Sequence, residues 1–310
     1  MIKYLFIVIL GLVVLRTSAQ KANLATQFDY YQKLNAAETR LPEFTDDDSS
    51  LFLKVVQLQV INESRLKYKC EPVKLDILAC RVANKMAKDA AEGGYVGHWN
   101  RAGEKPYHRW AFAGGKDHVA ENAYGEWSSA KYKKNDFTID SLMKAGHKAF
   151  ITEKHPNDGH KQNIIYKPHT HVGIGYYLVD RHFTYYEEFL DRYYVFENEL
   201  KPSYRPNEKI ELILKCDSSI GLTNFYASKE KKIKPMNPVK ITLKGSYFDG
   251  TGKITFFDLP KREPDGSYKL EFSFKKKGLY YLQIFHRVYD EKGRLVGKEV
   301  QASGVLVRVE

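Results

Sequence analysis

The stretch Leu200-Lys201-Pro202-Ser203-Tyr204-Arg205-Pro206-Asn207 divides the 310-residue chain, because its two prolines disfavour helix and central strand alike. Downstream the pattern has period two. Ile210, Leu212, Leu214 and Cys216 alternate with Glu211, Ile213 and Lys215, and Tyr268, Leu270, Phe272 and Phe274 alternate with Lys269, Glu271, Ser273 and Lys275, so each run turns one face inward. Further strands are expected over residues 222–227, 239–243, 253–257, 280–289 and 304–309. Turn signals at Asp249-Gly250, Asp265-Gly266 and Lys292-Gly293 separate many of them. About seven strands in this span predict an all-β sandwich over 202–310.

That sandwich is of the immunoglobulin-like kind in strand number, but the Cys, Trp, Cys pattern of antibody domains is missing, and such a fold fixes no function. Upstream the pattern is mixed. Helical spacing of apolar residues predicts helices over 51–68, 76–91 and 138–153, with strands at 171–178 and 193–196. The chain therefore reads as α+β, with a lead-in at 20–48, one domain at 49–201 and the sandwich at 202–310.

Met1-Ile2-Lys3, an apolar run from Tyr4 to Leu15 and Thr17-Ser18-Ala19 have the three-part grammar of an export signal. The run falls short of the ~20 residues a membrane-spanning helix needs, so residues 1–19 are expected to be removed from an exported protein, extracellular or periplasmic, with no transmembrane segment. The first cysteine is Cys70, which excludes a lipid-modified cysteine at the cleavage point. Cys70 and Cys80 bracket a short loop, leaving a bridge or two buried thiols as alternatives; with Cys216 the count is odd, and no C-x-x-C pair signals zinc.

The net charge of +11 is unevenly placed. Residues 20–201 carry 26 basic and 25 acidic side chains, whereas 202–310 carry 21 and 13. Lys229, Lys231, Lys232 and Lys234 cluster near one expected loop and Lys275, Lys276 and Lys277 near another, so the second domain is a candidate for docking to an anionic surface. An exported sandwich with no recognition helix points away from nucleic acid.

Four patches upstream gather groups capable of chemistry: Gly97-His98-Trp99-Asn100, Ala120-Glu121-Asn122-Ala123-Tyr124-Gly125, Ile151-Thr152-Glu153-Lys154-His155 and Gly159-His160-Lys161-Gln162-Asn163-Ile164-Ile165. Two imidazoles can hold a divalent cation through nitrogen while carboxylates orient the rings. In order and spacing these patches resemble the CAP superfamily of cysteine-rich secretory, antigen 5 and pathogenesis-related proteins, with the SCP-like extracellular domain, over about residues 50–198. Asn62-Glu63-Ser64-Arg65 resembles the family's N-x-x-R start, Pro72-Val73-Lys74-Leu75-Asp76 its next loop, Ala83 with Ala87 its second helix, and Val172-Gly173-Ile174-Gly175 with Tyr185-Tyr186 its closing strands.

The resemblance implies an α-β-α sandwich with an open cleft and a tetrad of two histidines and two acids that often holds a divalent cation, zinc first, then calcium or magnesium. His98 and His160 carry over as the imidazoles and metal ligands, and Glu121 as the first carboxylate. Glu153 has the position of the second, with His155 and Asp158 as competitors. Tyr166 replaces the family's tryptophan after the second histidine, the signature near the domain's end is not recognisable and the eukaryotic disulfides are absent, which favours the shorter prokaryotic-type branch. A small hydrophobic, glycan or peptide ligand in the cleft is the first functional reading, with Trp99, Trp110, Tyr124 and Trp127 as candidate stacking surfaces. The alternative is a metal-dependent or Glu/His-assisted hydrolase, although the chain has no H-E-x-x-H and no G-x-S-x-G. With ordinary histidine pKa values of about 6.5, cation binding should weaken from pH 7 towards 5, and the carboxylates should raise those pKa values.

Overall fold

The computed structural model describes residues 23–247 and 252–310. The export signal and the Asp249-Gly250 turn lie outside the described residues. The expected lead-in is structured: α1, over residues 23–37, buries Tyr31, whose hydroxyl accepts a hydrogen bond from the Leu75 backbone. A short 3-10 turn, Pro42–Phe44, follows.

In the first domain a four-stranded sheet takes the order β1 (Lys74–Leu75), β3 (His171–Val179), β4 (His182–Asp191), β2 (His118–Trp127), antiparallel except for the β1–β3 pair. Helix α3 (Ile77–Gly93) covers one face with the short α4 (Pro106–Phe112). Helices α2 (Asp48–Lys67), α5 (Asp136–Ile151) and α6 (Gly159–Ile164) lie on the other. This is the expected α-β-α sandwich. Alternation along β4 sends Tyr185 and Phe189 into the α2/α5 core, and Tyr186 and Leu190 towards α3 and α4. Helix α3 approaches β3 closely because Gly173 and Gly175 have no Cβ; one added there would lie 2.4 and 2.2 Å from the backbone carbons of Ala79 and Ala83.

The second domain packs two sheets. One orders β11 (Leu295–Gln301), β10 (Gly278–Tyr289), β7 (Ile220–Lys229) and β8 (Ile254–Phe256), with β12 (Val305–Val309) also on β10. The other orders β5 (Val195–Phe196), β6 (Ile210–Lys215) and β9 (Ser267–Phe272). Ile210, Leu212, Leu214, Leu270 and Phe272 point into the core between them, as their alternation predicts. Two expectations change. Residues 239–243 fall in a helix, α7 (Pro238–Thr242), because the Asn237 side chain caps it by accepting from the Lys240 N–H and Pro238 begins it. The strand near 195 belongs to the second domain's sheet, because Tyr194 buries into that core and its hydroxyl bonds His286 Nδ1 at 2.9 Å.

The two domains meet in shared apolar clusters. Tyr281 packs among Leu78, Val82, Tyr107, Trp110 and Leu190, stacking on Tyr107 at 4.2 Å, and Ile241 is fully buried among Ala83, Met86, Ala87, Ala90 and Trp99. A buried ion pair, Lys105 Nζ to Glu230 Oε2 at 2.7 Å, crosses the same junction. All three cysteines are free: Cys70 donates to the Ile165 carbonyl and Cys80 accepts from the Ile174 N–H, so no bridge joins them. Among the described residues no helix is long and apolar enough to cross a membrane.

Candidate functional site

Strand β2 is the open edge of the first sheet, and the candidate residues meet across it. Successive side chains on a strand face opposite ways, so Glu121 turns to the α3/α4 side and Asn122 to the α5/α6 side. Glu121 Oε1 lies 2.9 Å from His98 Nδ1, and Asn122 Nδ2 donates to the His160 carbonyl at 3.3 Å. The His98 and His160 ring centroids are 6.5 Å apart. Glu153, just past the end of α5, places Oε1 2.5 Å from His160 Nδ1 and accepts from the His160 backbone N–H with Oε2, which satisfies a free donor at the start of α6. His98, Glu121, His160 and Glu153 are thus brought together. His155 is elsewhere, with a 90% exposed side chain facing Asp158.

The His98 side also rests on residues that the sequence did not single out. Arg109 from α4 is fully buried, donates to the His98 carbonyl, and pairs with Glu121 through a short Nη2 to Oε2 contact. Glu188, directly opposite Glu121 on β4, lies 3.6 Å from the same guanidinium. Two buried carboxyls therefore share one cation. Burial pushes both carboxyls up, Glu188 well above its ordinary range because it also sits beside Glu121, and Glu121 against the pull of Arg109; of the two, Glu188 is the one that carries a proton, and Glu121, which has Arg109 and His98, keeps the charge. An ionised Glu121 can only accept, so His98 Nδ1 holds the hydrogen. Burial, and then the Arg109 charge, push the His98 pKa down to about 4. This reverses the expectation that the carboxylate would raise it. The acidic pair Glu187-Glu188 inside an otherwise apolar strand is the sequence signal that could have pointed here.

Glu187 faces the opposite side. His147 lies between Glu187 Oε1, 2.8 Å from Nδ1, and Ser64 Oγ, 2.9 Å from Nε2. The order mimics a serine triad, but Ser64 is buried in the last turn of α2, where the helix already uses the backbone N–H groups an oxyanion would need. The arrangement clamps α2 and α5 to the sheet.

Of the candidate aromatics, Trp110 is buried beneath Gly115 and Trp99 is covered, its Nε1 donating to the Ser246 carbonyl. Tyr124 bonds Glu126, and Trp127 is exposed beside His182. None of these four contacts the imidazole gap through a ring pairing; Phe150 does, 4.7 Å from the His160 ring.

The geometry agrees with the family comparison. Residues 58–196 match the model of the family described as CAP, the cysteine-rich secretory protein family. This segment is a CAP domain. Within the CAP domain, His98, Glu121, His160 and Glu153 lie together at the edge of the sheet. A solved extracellular protein containing a SCP domain, from Bacillus anthracis str. Ames, is similar at 17% identity over 44% of this chain, with a TM-score of 0.31. The chain spans 39% of that structure's length, and no argument rests on it. No curated protein matches the chain.

The CAP domain's fit to a cation is poor in this arrangement. An imidazole centroid lies about 1.1 Å from its nitrogen, so two nitrogens ~2.1 Å from a tetrahedral zinc would hold the centroids about 5 Å apart. The observed separation is 6.5 Å. Both carboxylates are turned to Nδ1 rather than to the gap, and among the described residues no group of three or more His, Cys, Asp or Glu is placed to hold a metal.

Proposed function

We propose that this is an exported CAP-domain protein, directed by residues 1–19, whose His98/His160 cleft binds a ligand and does not cleave it. One observation carries the reading: the tetrad carboxylates are spent on holding the rings. Glu121 faces His98 Nδ1 and Arg109, and Glu153 faces His160 Nδ1 and the backbone at the start of α6. Neither carboxylate is left as a general base for water, so a base would have to be an imidazole Nε2, which the turnover test below reads. With both Nδ1 atoms engaged, Nε2 is the ring nitrogen turned to the cleft on His98 and His160, whose side chains are 20% and 33% exposed. A neutral Nε2 accepts hydrogen bonds. A glycan or peptide, rich in O–H and N–H donors, suits this pair better than a hydrocarbon, with Phe150 as the apolar contact beside it. The exposed lysines 231, 232, 234 and 275–277 make the second domain the side that would face an anionic surface.

A divalent cation between the imidazoles is the second reading; it would need the two rings, 6.5 Å apart, to draw closer together. Both are tested on the full chain with His160→Ala as the control. Calorimetry against glycan and peptide panels is expected to find binding that His160→Ala weakens at least severalfold, with no turnover of the peptides or of ester substrates. Turnover lost in His160→Ala would replace the binding reading with the hydrolase. Zinc titrated in parallel reads the second: heat abolished by both His98→Ala and His160→Ala would place the ion in the cleft, and heat surviving either would place it elsewhere.

A further inference from the structure

The chain between β7 and β8 leaves the second domain and runs across the CAP domain beside His98. The crossing, residues 231–247, docks at successive points on the loop that presents His98. The Met236 N–H donates to the Arg101 carbonyl at 2.9 Å. At Gly103, where φ is +82°, an added Cβ would lie 2.0 Å from the Lys234 carbonyl oxygen, so the strap rests directly on loop backbone. Ile241 is fully buried, and Gly97 makes room for it: a Cβ there would sit 3.2 Å from Ile241 Cγ2. Ser246 accepts from Trp99 Nε1. Tyr247 follows, its ring meeting the His98 ring edge to face at 5.1 Å and lying 6.5 Å from that of Tyr107.

His98 is therefore gripped by both domains. Glu121 fixes Nδ1, Arg109 holds the backbone carbonyl, and Tyr247 closes a side of the ring that the CAP domain leaves uncovered. Among the described residues no second-domain ring packs on His160, which is the more exposed of the two, at 33% against 20%. We propose that Tyr247 is a positioning residue for His98, so that the second domain builds one wall of the cleft and ligand enters from the His160 side. The proposal rests on the reading of the cleft as a binding site, and it gives the second domain a part in that site. The Tyr247 hydroxyl also bonds the Glu121 backbone, so phenylalanine keeps the flat ring and loses that anchor, while a smaller side chain loses both.

The test is residue-resolved modification of the full chain by diethyl pyrocarbonate at pH 7, read by mass spectrometry, in which the free imidazole nitrogen attacks the reagent's carbonyl carbon and ethyl carbonate leaves. His98 is expected to react more slowly than His160 in the parent. Tyr247→Ala should speed His98 severalfold and leave His160 unchanged, while Tyr247→Phe, which keeps the ring and loses only the hydroxyl's bond to the Glu121 backbone, should speed His98 by less. If Tyr247→Ala fails to fold, Tyr247→Leu, which keeps apolar bulk without the flat ring, takes its place against Tyr247→Phe. Equal His98 rates in parent and truncated variant overturn the proposal, as does a parallel rise at His160, which would mean general loosening. The readout needs no ligand, so failure to find one leaves this result standing, and failure here leaves ligand binding at His160 untouched.

Discussion

Arg109→Met is expected to destabilise the full chain by about 3–5 kcal/mol, the cost typical of stripping one partner from a buried ion pair. The guanidinium is the countercharge for Glu121 and lies beside the protonated Glu188, and all three are almost entirely buried. Methionine keeps much of the stem's volume, so packing changes little and the effect reports charge. Glu188→Gln should behave oppositely, changing stability by less than about 1 kcal/mol, because the Glu188 carboxyl is already held protonated by its burial beside Glu121. Equilibrium denaturation of both variants at pH 7 checks the pair. A Glu188→Gln loss as large as that of Arg109→Met would show that Glu188 is ionised and that the proton has been misassigned.

Gly175→Val should prevent the CAP domain from folding. The first added atom alone would lie 2.2 Å from the Ala83 backbone carbon and 2.5 Å from its carbonyl oxygen, and backbone on a packed helix cannot swing aside as a flexible side chain can. Relief requires α3 to lift from β3, which opens the interface that buries Ala79, Val82, Ala83 and Met86. Overpacking a core by a few methylenes costs typically 1–3 kcal/mol; separating a helix from its sheet costs more than a domain's margin of about 5–15 kcal/mol can easily absorb. Recovery in the soluble fraction and circular dichroism are the measures, and a folded variant with parent-like stability would show that the close approach is not required.

How far the sequence could be read follows from which contacts are local. The strands of β6 and β9 were legible because one face is buried, which forces alternation at Ile210, Leu212 and Leu214. β11 was not: most of Leu295–Gln301 is exposed, so nothing imposes a pattern on it. Residues 239–243 carry β-branched residues that suggest a strand, but the local Asn237-Pro238 cap decides in favour of helix. In the candidate site, His98, Glu121, His160 and Glu153 could be named because each stands in a recognisable local setting. Arg109 could not, since its role depends on α4 packing beneath β2, nor could Tyr247, which reaches His98 from 149 positions along the chain by a route fixed only when the two domains pack together. The expected rise of the His98 pKa failed for the same reason: a neighbouring carboxylate was visible in sequence, while the burial and the Arg109 charge that outweigh it were not.

The central claim is that carboxylates hold both imidazoles by Nδ1 and leave Nε2 bare towards the cleft. Long-range nitrogen-proton correlation spectra of the full chain, with His98→Gln and His160→Gln to assign the signals, measure this directly. At pH 7 His98 should be a neutral Nδ1–H tautomer and should stay neutral on acidification until about pH 4, the value to which burial and Arg109 lower it, and the His160 Nδ1 should carry a hydrogen towards Glu153. An Nε2–H tautomer at either ring, or a His98 that protonates near an unperturbed pKa of about 6.5, would contradict the account.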